Sequence, residues 1–133
     1  MNNMGGTDQA KSQTSKLIAI IDDDESMHDS LWDLIKPTGL VVRCFRSAEE
    51  FLEYDLHGEV ACLIAEIQMP GMWGLELQAR LKEEQCNIPI IFITSNGGAR
   101  MRIQAMREGA VEFLATPLDC QLLLKTVRAA LDM

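Results

Sequence analysis

Short apolar runs recur along the chain at 17–21, 40–45, 60–65, 88–93 and 111–115. Each has the length of a strand, and most lack the polar alternation of a half-exposed one. That is the pattern of strands buried on both faces, as in a parallel sheet. Helical spacing fills the intervals. Met27, Leu31, Leu34 and Ile35 form a stripe on a helix that ends near Pro37-Thr38-Gly39. Ser47 with Glu50 three residues on reads as a capping box opening a short second helix. The segment 74–85 places Leu77 and Leu81 on one face, and 98–108 does the same with Ile103 and Met106. Asp119 is positioned to cap a last helix that turns Leu123, Val127, Ala130 and Leu131 inward. Five strands alternating with five helices predict an α/β fold with right-handed crossovers and helices on both sheet faces. In such sheets ligands bind beyond the carboxyl ends of the strands.

Composition narrows the picture. At 133 residues the chain is one domain's worth. Residues 1–15 are polar and are expected to be a flexible tail, leaving 16–133 as the folded unit, without an internal repeat. Twelve Lys and Arg against twenty Asp and Glu give a net charge of −8, which opposes direct contact with nucleic acid or an anionic membrane. No apolar run reaches bilayer length and residues 1–16 lack a signal-peptide core, so the expected location is cytoplasmic. Cys44, Cys62, Cys86 and Cys120 form no C-x-x-C pair and read as buried reduced thiols.

The strand ends carry the chemistry. The first apolar run is followed by Asp22-Asp23-Asp24-Glu25, a cluster suited to a hard divalent cation and equally to a solvated loop before a helix N-terminus. The third ends in Glu66, followed by Ile67-Gln68 and the turn Met69-Pro70-Gly71-Met72. Thr94-Ser95 closes the fourth, and Thr116-Pro117 the fifth, three residues after Phe113.

Taken in order and spacing, the acid run, the Met-Pro-Gly-Met turn, Thr94, Gly109-Ala110 and the Thr116-Pro117 step resemble the receiver domain of two-component response regulators. The resemblance covers nearly all of 17–131. The wording Ile21-Asp22-Asp23-Asp24-Glu25-Ser26 is most similar to the subgroup that carries a helix-turn-helix output domain in longer proteins. It implies a five-stranded, flavodoxin-like αβα sandwich with strand order 2-1-3-4-5. It also implies Mg²⁺ held by Asp22, Asp23, the phospho-acceptor position and the carbonyl of Gln68. Thr94 becomes the switch hydroxyl and Phe113 the switch aromatic. The implied partners are a histidine kinase or an output protein, met through residues 98–131, or a second copy in a homodimer, and Arg100, Arg102 and Arg107 place cations on that face.

Two positions depart from the family pattern. Glu66 stands where the phospho-accepting Asp is expected, and Thr116 where a Lys is expected. The extra methylene displaces the carboxylate by about 1.5 Å, and in-line phosphoryl transfer depends on position and electrostatics. Without the Lys, the cation that would neutralise an acyl phosphate is absent. The expectation is therefore a degenerate receiver, a non-enzymatic interaction module with the acid pocket Asp22, Asp23 and Glu66 and weak affinity for Mg²⁺. Two alternatives remain at this point: a receiver that still accepts phosphate, and a haloacid-dehalogenase-like phosphatase suggested by Asp22-x-Asp24 after a buried strand. The chain is either a stand-alone receiver or a piece of a longer regulator.

Overall fold

The computed structural model describes residues 16–55, 57–95 and 98–132; the expected tail, 1–15, lies outside them. The elements alternate as β1 Leu17–Ile21, α1 Glu25–Ile35, β2 Val41–Phe45, α2 Ala48–Glu53, β3 Cys62–Glu66, α3 Gly74–Glu83, β4 Ile90–Thr94, α4 Ala99–Arg107, β5 Glu112–Ala115 and α5 Cys120–Ala130. Single 3₁₀ turns, Lys36–Thr38 and His57–Glu59, follow α1 and α2. The five strands form one parallel sheet of order β2-β1-β3-β4-β5. The flavodoxin-like architecture and strand order expected from the sequence are those observed.

Strand boundaries shift slightly. Leu40, Val60, Ala61, Ile88 and Pro89 lie just outside the ladder, while Glu66 and Thr94 are the last residues inside it. The apolar runs extended past the strands because connecting residues such as Leu40, Val60 and Ile88 are also buried.

Alternate side chains of each central strand feed two cores. Ala19, Ile21, Leu63, Ala65 and Phe92 pack with Phe51, Leu77, Leu81 and Ala105 under α2, α3 and α4. Ile18, Ile20, Ile64, Ile91 and Ile93 pack with Leu31, Ile35, Leu123 and Val127 under α1 and α5. β3 and β4 are buried at every position, which is why both read as unbroken apolar runs.

Helix starts are set by side chains. Asp119 Oδ1 accepts the Leu122 N–H at 3.1 Å. Ser47 Oγ accepts from Glu50 N–H at 3.0 Å, but the Glu50 carboxylate reaches back to Arg46 N–H, one residue before the expected reciprocal partner. Two expectations are corrected. In α4 the inward residues are Ala105 and half-buried Met101, so Ile103 (55% exposed) and Met106 (37%) face outward. The helix is nine residues long, and small Ala105 lets it lie close to the sheet, leaving the larger apolar pair on its far side. Cys62 is buried, but Cys44 and Cys86 are half-buried and Cys120 is exposed in the first turn of α5; all four are free thiols.

Candidate functional site

Parallel strands bring their carboxyl ends to one rim of the sheet. The register pairs Ile21 with Ala65, Glu66 with Ile93 and Thr94 with Ala115. Asp22, one residue past β1, Glu66 at the end of β3 and Thr94 at the end of β4 therefore share one edge. All three are buried, at 3%, 8% and 1% exposure.

The acid run divides its work. Asp22 turns inward, its N–H bonding Phe45 O at 3.1 Å and its Oδ1 accepting from Asp24 N–H at 2.9 Å. Burial pushes the Asp22 carboxyl above its ordinary pKa, opposed by the Asp24 amide and reinforced by the charges of Asp23 and Asp24. Asp23 is exposed. Asp24 is the N-cap of α1: its Oδ1 accepts the Ser26 N–H at 2.9 Å and the Ser26 hydroxyl at 2.7 Å, bonds that hold its pKa low. The sequence reading placed Asp24 in the acid run and in the phosphatase alternative, not at a helix cap. Its signal was present, since an acid before a helix and two residues ahead of a serine is an N-cap pattern. The engagement also tells against the phosphatase reading, because the second acid of Asp22-x-Asp24 is committed to the helix.

Glu66 folds back on its own strand end. Its Oε2 accepts the Ile67 N–H at 2.8 Å and the Gln68 N–H at 3.2 Å, while the Ile67 N–H is shared with Ile93 O at 2.9 Å. Burial raises the Glu66 pKa; the Gln68 amide lowers it, the Asp22 charge raises it, the Ile67 amide lowers it and the Asp23 charge raises it. Among the described residues none of the three acids forms an ion pair. Thr116, at the expected Lys position, is half-buried and donates its N–H to Thr94 O at 2.9 Å; the Thr116–Pro117 peptide is cis. Phe113 is buried against Phe92, with ring centroids 6.4 Å apart.

The loop after β3 is held tightly. Met72 N–H donates to Glu49 Oε2 at 3.1 Å and Gly74 N–H to Ile67 O at 2.8 Å. Gly71 has φ +83°, and a Cβ there would stand 2.7 Å from Glu49 Oε2. Trp73, seven residues after Glu66 and just before α3, is 42% exposed.

Two hollows flank the rim. One of about 150 Å³ is lined by Thr94, Gly98, Arg102, Phe113 and Ala115. Arg102 donates from Nη1 to Phe113 O at 3.3 Å, so a cation of α4 stands beside Thr94 and Phe113, a placement the sequence did not suggest. The other, of about 260 Å³, lies between Met27, Leu31 and Leu34 of α1 and Thr116, Pro117, Leu118 and Cys120. It was missed because the α1 stripe was read wholly as core.

The donor set suits a hard cation in part. Asp22, Asp23 and the Gln68 carbonyl supply oxygens only, and among the described residues no side-chain cation pairs with the acids; Mg²⁺ commonly takes one or two carboxylates and keeps several waters. Glu66 contributes less than expected because its Oε2 is directed at backbone amides, and among the described residues no three His, Cys, Asp or Glu side chains gather as a metal cage.

A family model of the response regulator receiver domain matches residues 18–128. The response regulator protein TodT of Pseudomonas putida is 40% identical over 122 residues, covering 92% of this chain and 54% of TodT. The transcriptional regulatory protein FixJ of Bradyrhizobium diazoefficiens is 35% identical over 114 residues, 86% of this chain and 56% of FixJ. The chain thus spans about half the length of the curated relatives it matches. Among solved structures, the response regulator StyR superimposes with a TM-score of 0.81 at 38% identity, covering 88% of this chain and 59% of StyR. FixJ-N superimposes with a TM-score of 0.78 at 32% identity, covering 88% and 94% of the two chains.

Proposed function

The chain belongs to the response regulator receiver domain family, and on that premise we propose that residues 16–133 are a receiver whose signalling is set by protein contacts and not by ordinary aspartyl phosphorylation. The observation that carries this reading is the Glu66 carboxylate, buried and bonded to the N–H groups of Ile67 and Gln68. Consecutive amides at a strand end form an anion-binding concavity. Here the chain's own carboxylate lies in it, so an incoming phosphoryl group has to displace an anion already bound.

Thr116 deepens the effect. A Lys at this position would neutralise charge on the phosphoryl oxygens, and a threonine brings a hydroxyl without charge. Glu66 resembles a phosphorylated side chain in part, with one negative charge instead of nearly two. Mg²⁺ would be held weakly by Asp22, Asp23 and the Gln68 carbonyl, and when bound it would supply positive charge to offset the acids.

Protein partners, a histidine kinase or an output protein, fit the α4–β5–α5 face within residues 98–131, where Arg100, Arg102 and Arg107 oppose the chain's −8. That charge disfavours direct contact of this domain with nucleic acid. Among the described residues no helix is long and apolar enough to cross a membrane.

The test is acetyl phosphate with Mg²⁺, read by intact mass, on the wild type, Glu66→Asp, Thr116→Lys and the double variant. The wild type is expected to stay unlabelled, Glu66→Asp to label partly and the double variant to label fully. Rapid stoichiometric labelling of wild-type Glu66 overturns the proposal in favour of an ordinary phosphorelay receiver, which the retained Asp22, Asp23 and Thr94 would then serve.

A further inference from the structure

Two exposed features are left unexplained by the acid pocket. The first is the outer face of α4. An α-helix advances about 100° per residue, so Ile103 stands opposite the inward Met101 and Ala105. Met106 lies beside it, Arg102 on one flank and Arg100 and Arg107 on the other. The segment Ala99–Arg107 contains three arginines and no acid. An apolar centre inside a cationic rim has the anatomy of a protein interface.

The second is Trp73. It occupies the N-cap of α3, yet an indole has a donor and no acceptor, so the helix N-terminus has no side-chain cap. Only the reverse bond exists, from Trp73 N–H to Glu76 Oε1 at 3.1 Å. Ser, Thr, Asn or Asp is the favoured N-cap, so a local gain is forgone at a position that carries an exposed Trp. Its mount is rigid, through Gly74 N–H to Ile67 O and Met72 N–H to Glu49 Oε2. Two exposed acids stand beside it, Glu49 on the Met72 N–H and Glu76 on the Trp73 N–H. The other exposed Trp, Trp32, already has the Lys36 ammonium over its ring at 5.2 Å.

We infer that Trp73 of one copy seats on the Ile103–Met106 face of a second copy, its acidic rim meeting Arg100, Arg102 and Arg107. This rests on the reading of α4 as an interaction face and names its occupant. α3 and α4 are joined by Gln78 Nε2–H to Ala105 O at 3.1 Å, so protrusion and receiving face sit on neighbouring helices. A two-fold axis can then make the contact twice, each Trp73 on the other copy's Ile103. The arginine rim adds guanidinium–indole attraction and charge complementarity. Each half of the arrangement explains what the other leaves open: an apolar pair without a cover, and a Trp without a cap.

The experiment is sedimentation equilibrium on the full chain at low and high salt, with wild type, Trp73→Ser and Ile103→Asp. Serine restores an N-cap, and circular dichroism checks that each variant folds; Trp73→Gln and Ile103→Lys replace any that does not. The wild type is expected to dimerise, more weakly in high salt, and each variant to weaken dimerisation by about tenfold or more. The decisive arm mixes fluorescently labelled Trp73→Ser with unlabelled Ile103→Asp. The first retains the Ile103 face and the second the Trp73 protrusion, so a mixed dimer with one intact contact forms more strongly than either variant with itself. If Ile103→Asp abolishes dimerisation while Trp73→Ser behaves as wild type and mixing restores nothing, the Trp73 contact is refuted and the α4 face stands. A wild type that is monomeric at every concentration overturns the inference outright.

Discussion

Gly74 couples the first turn of α3 to the strand that carries Glu66, and Gly74→Ala tests that coupling. A Cβ at this position would lie 2.8 Å from Phe92 Cε1, 3.1 Å from Glu66 O and 3.1 Å from Ile67 Cα. The closest approach falls about 0.6 Å short of ordinary van der Waals contact. Two of the three neighbours are backbone and cannot rotate away, while the Phe92 ring is fully buried. In an open helix Ala would be favoured over Gly by about 0.5–1 kcal/mol. Forcing a methyl into a packed site costs about 1–3 kcal/mol, so the net expectation is a loss of roughly 1–2 kcal/mol. With a urea m-value of about 2 kcal/mol per molar, the middle of the usual range, the unfolding midpoint should fall by roughly 0.5–1 M. Trp73, one residue away, reports the transition by fluorescence. The ring contact is separable from the backbone ones: Phe92→Leu removes the ring edge, so the double variant should be less destabilised than the two singles added together. A Gly74→Ala protein with an unchanged or higher midpoint would refute the tight docking of α3 on the Glu66 strand end.

Four further outcomes are expected. Burial raises the pKa of Asp22 and Glu66, so the folded state holds their protons more tightly than the unfolded chain does; stability should fall as pH rises from the ordinary carboxylate range of the unfolded chain through the raised folded values, and Glu66→Gln should flatten that slope in pH-dependent urea melts. Millimolar Mg²⁺ should recover part of the loss at neutral pH and change Trp73 fluorescence, and an unchanged melt and spectrum up to tens of millimolar would remove Asp22 and Asp23 as a cation site. Ser47→Ala removes the acceptor for Glu50 N–H and should cost about 1 kcal/mol in thermal denaturation. Reversing Arg102 and Arg107 together to Glu should weaken self-association and partner capture, and unchanged binding in both assays would dismiss the α4 face as an interaction surface.

The architecture was legible in the chain because it follows from short-range alternation. Strands buried on both faces, such as Cys62–Glu66 and Ile90–Thr94, must be apolar throughout, and parallel strands need helical crossovers, so runs and stripes imply a doubly covered sheet. The identity of the rim residues was legible for the same reason: Asp22, Glu66 and Thr94 stand where their strands end. What each side chain does there was decided by tertiary structure. Four consecutive acids look alike in sequence, yet Asp22 turns inward under the Phe45 carbonyl while Asp24 caps α1, because only the folded backbone determines which carboxylate meets which N–H. Glu66 could have pointed into solvent; the course of the backbone just after β3 sets the Ile67 and Gln68 amides within its reach, and packing buries the carboxylate there. Ile103 and Met106 carried a helical apolar spacing that pointed to the core. Packing chose the opposite face, because Ala105 with Met101 seats the helix close to the sheet and two larger side chains have no room beneath it. Periodicity states that a helix has an apolar side, and the volume available beneath it selects which side is buried.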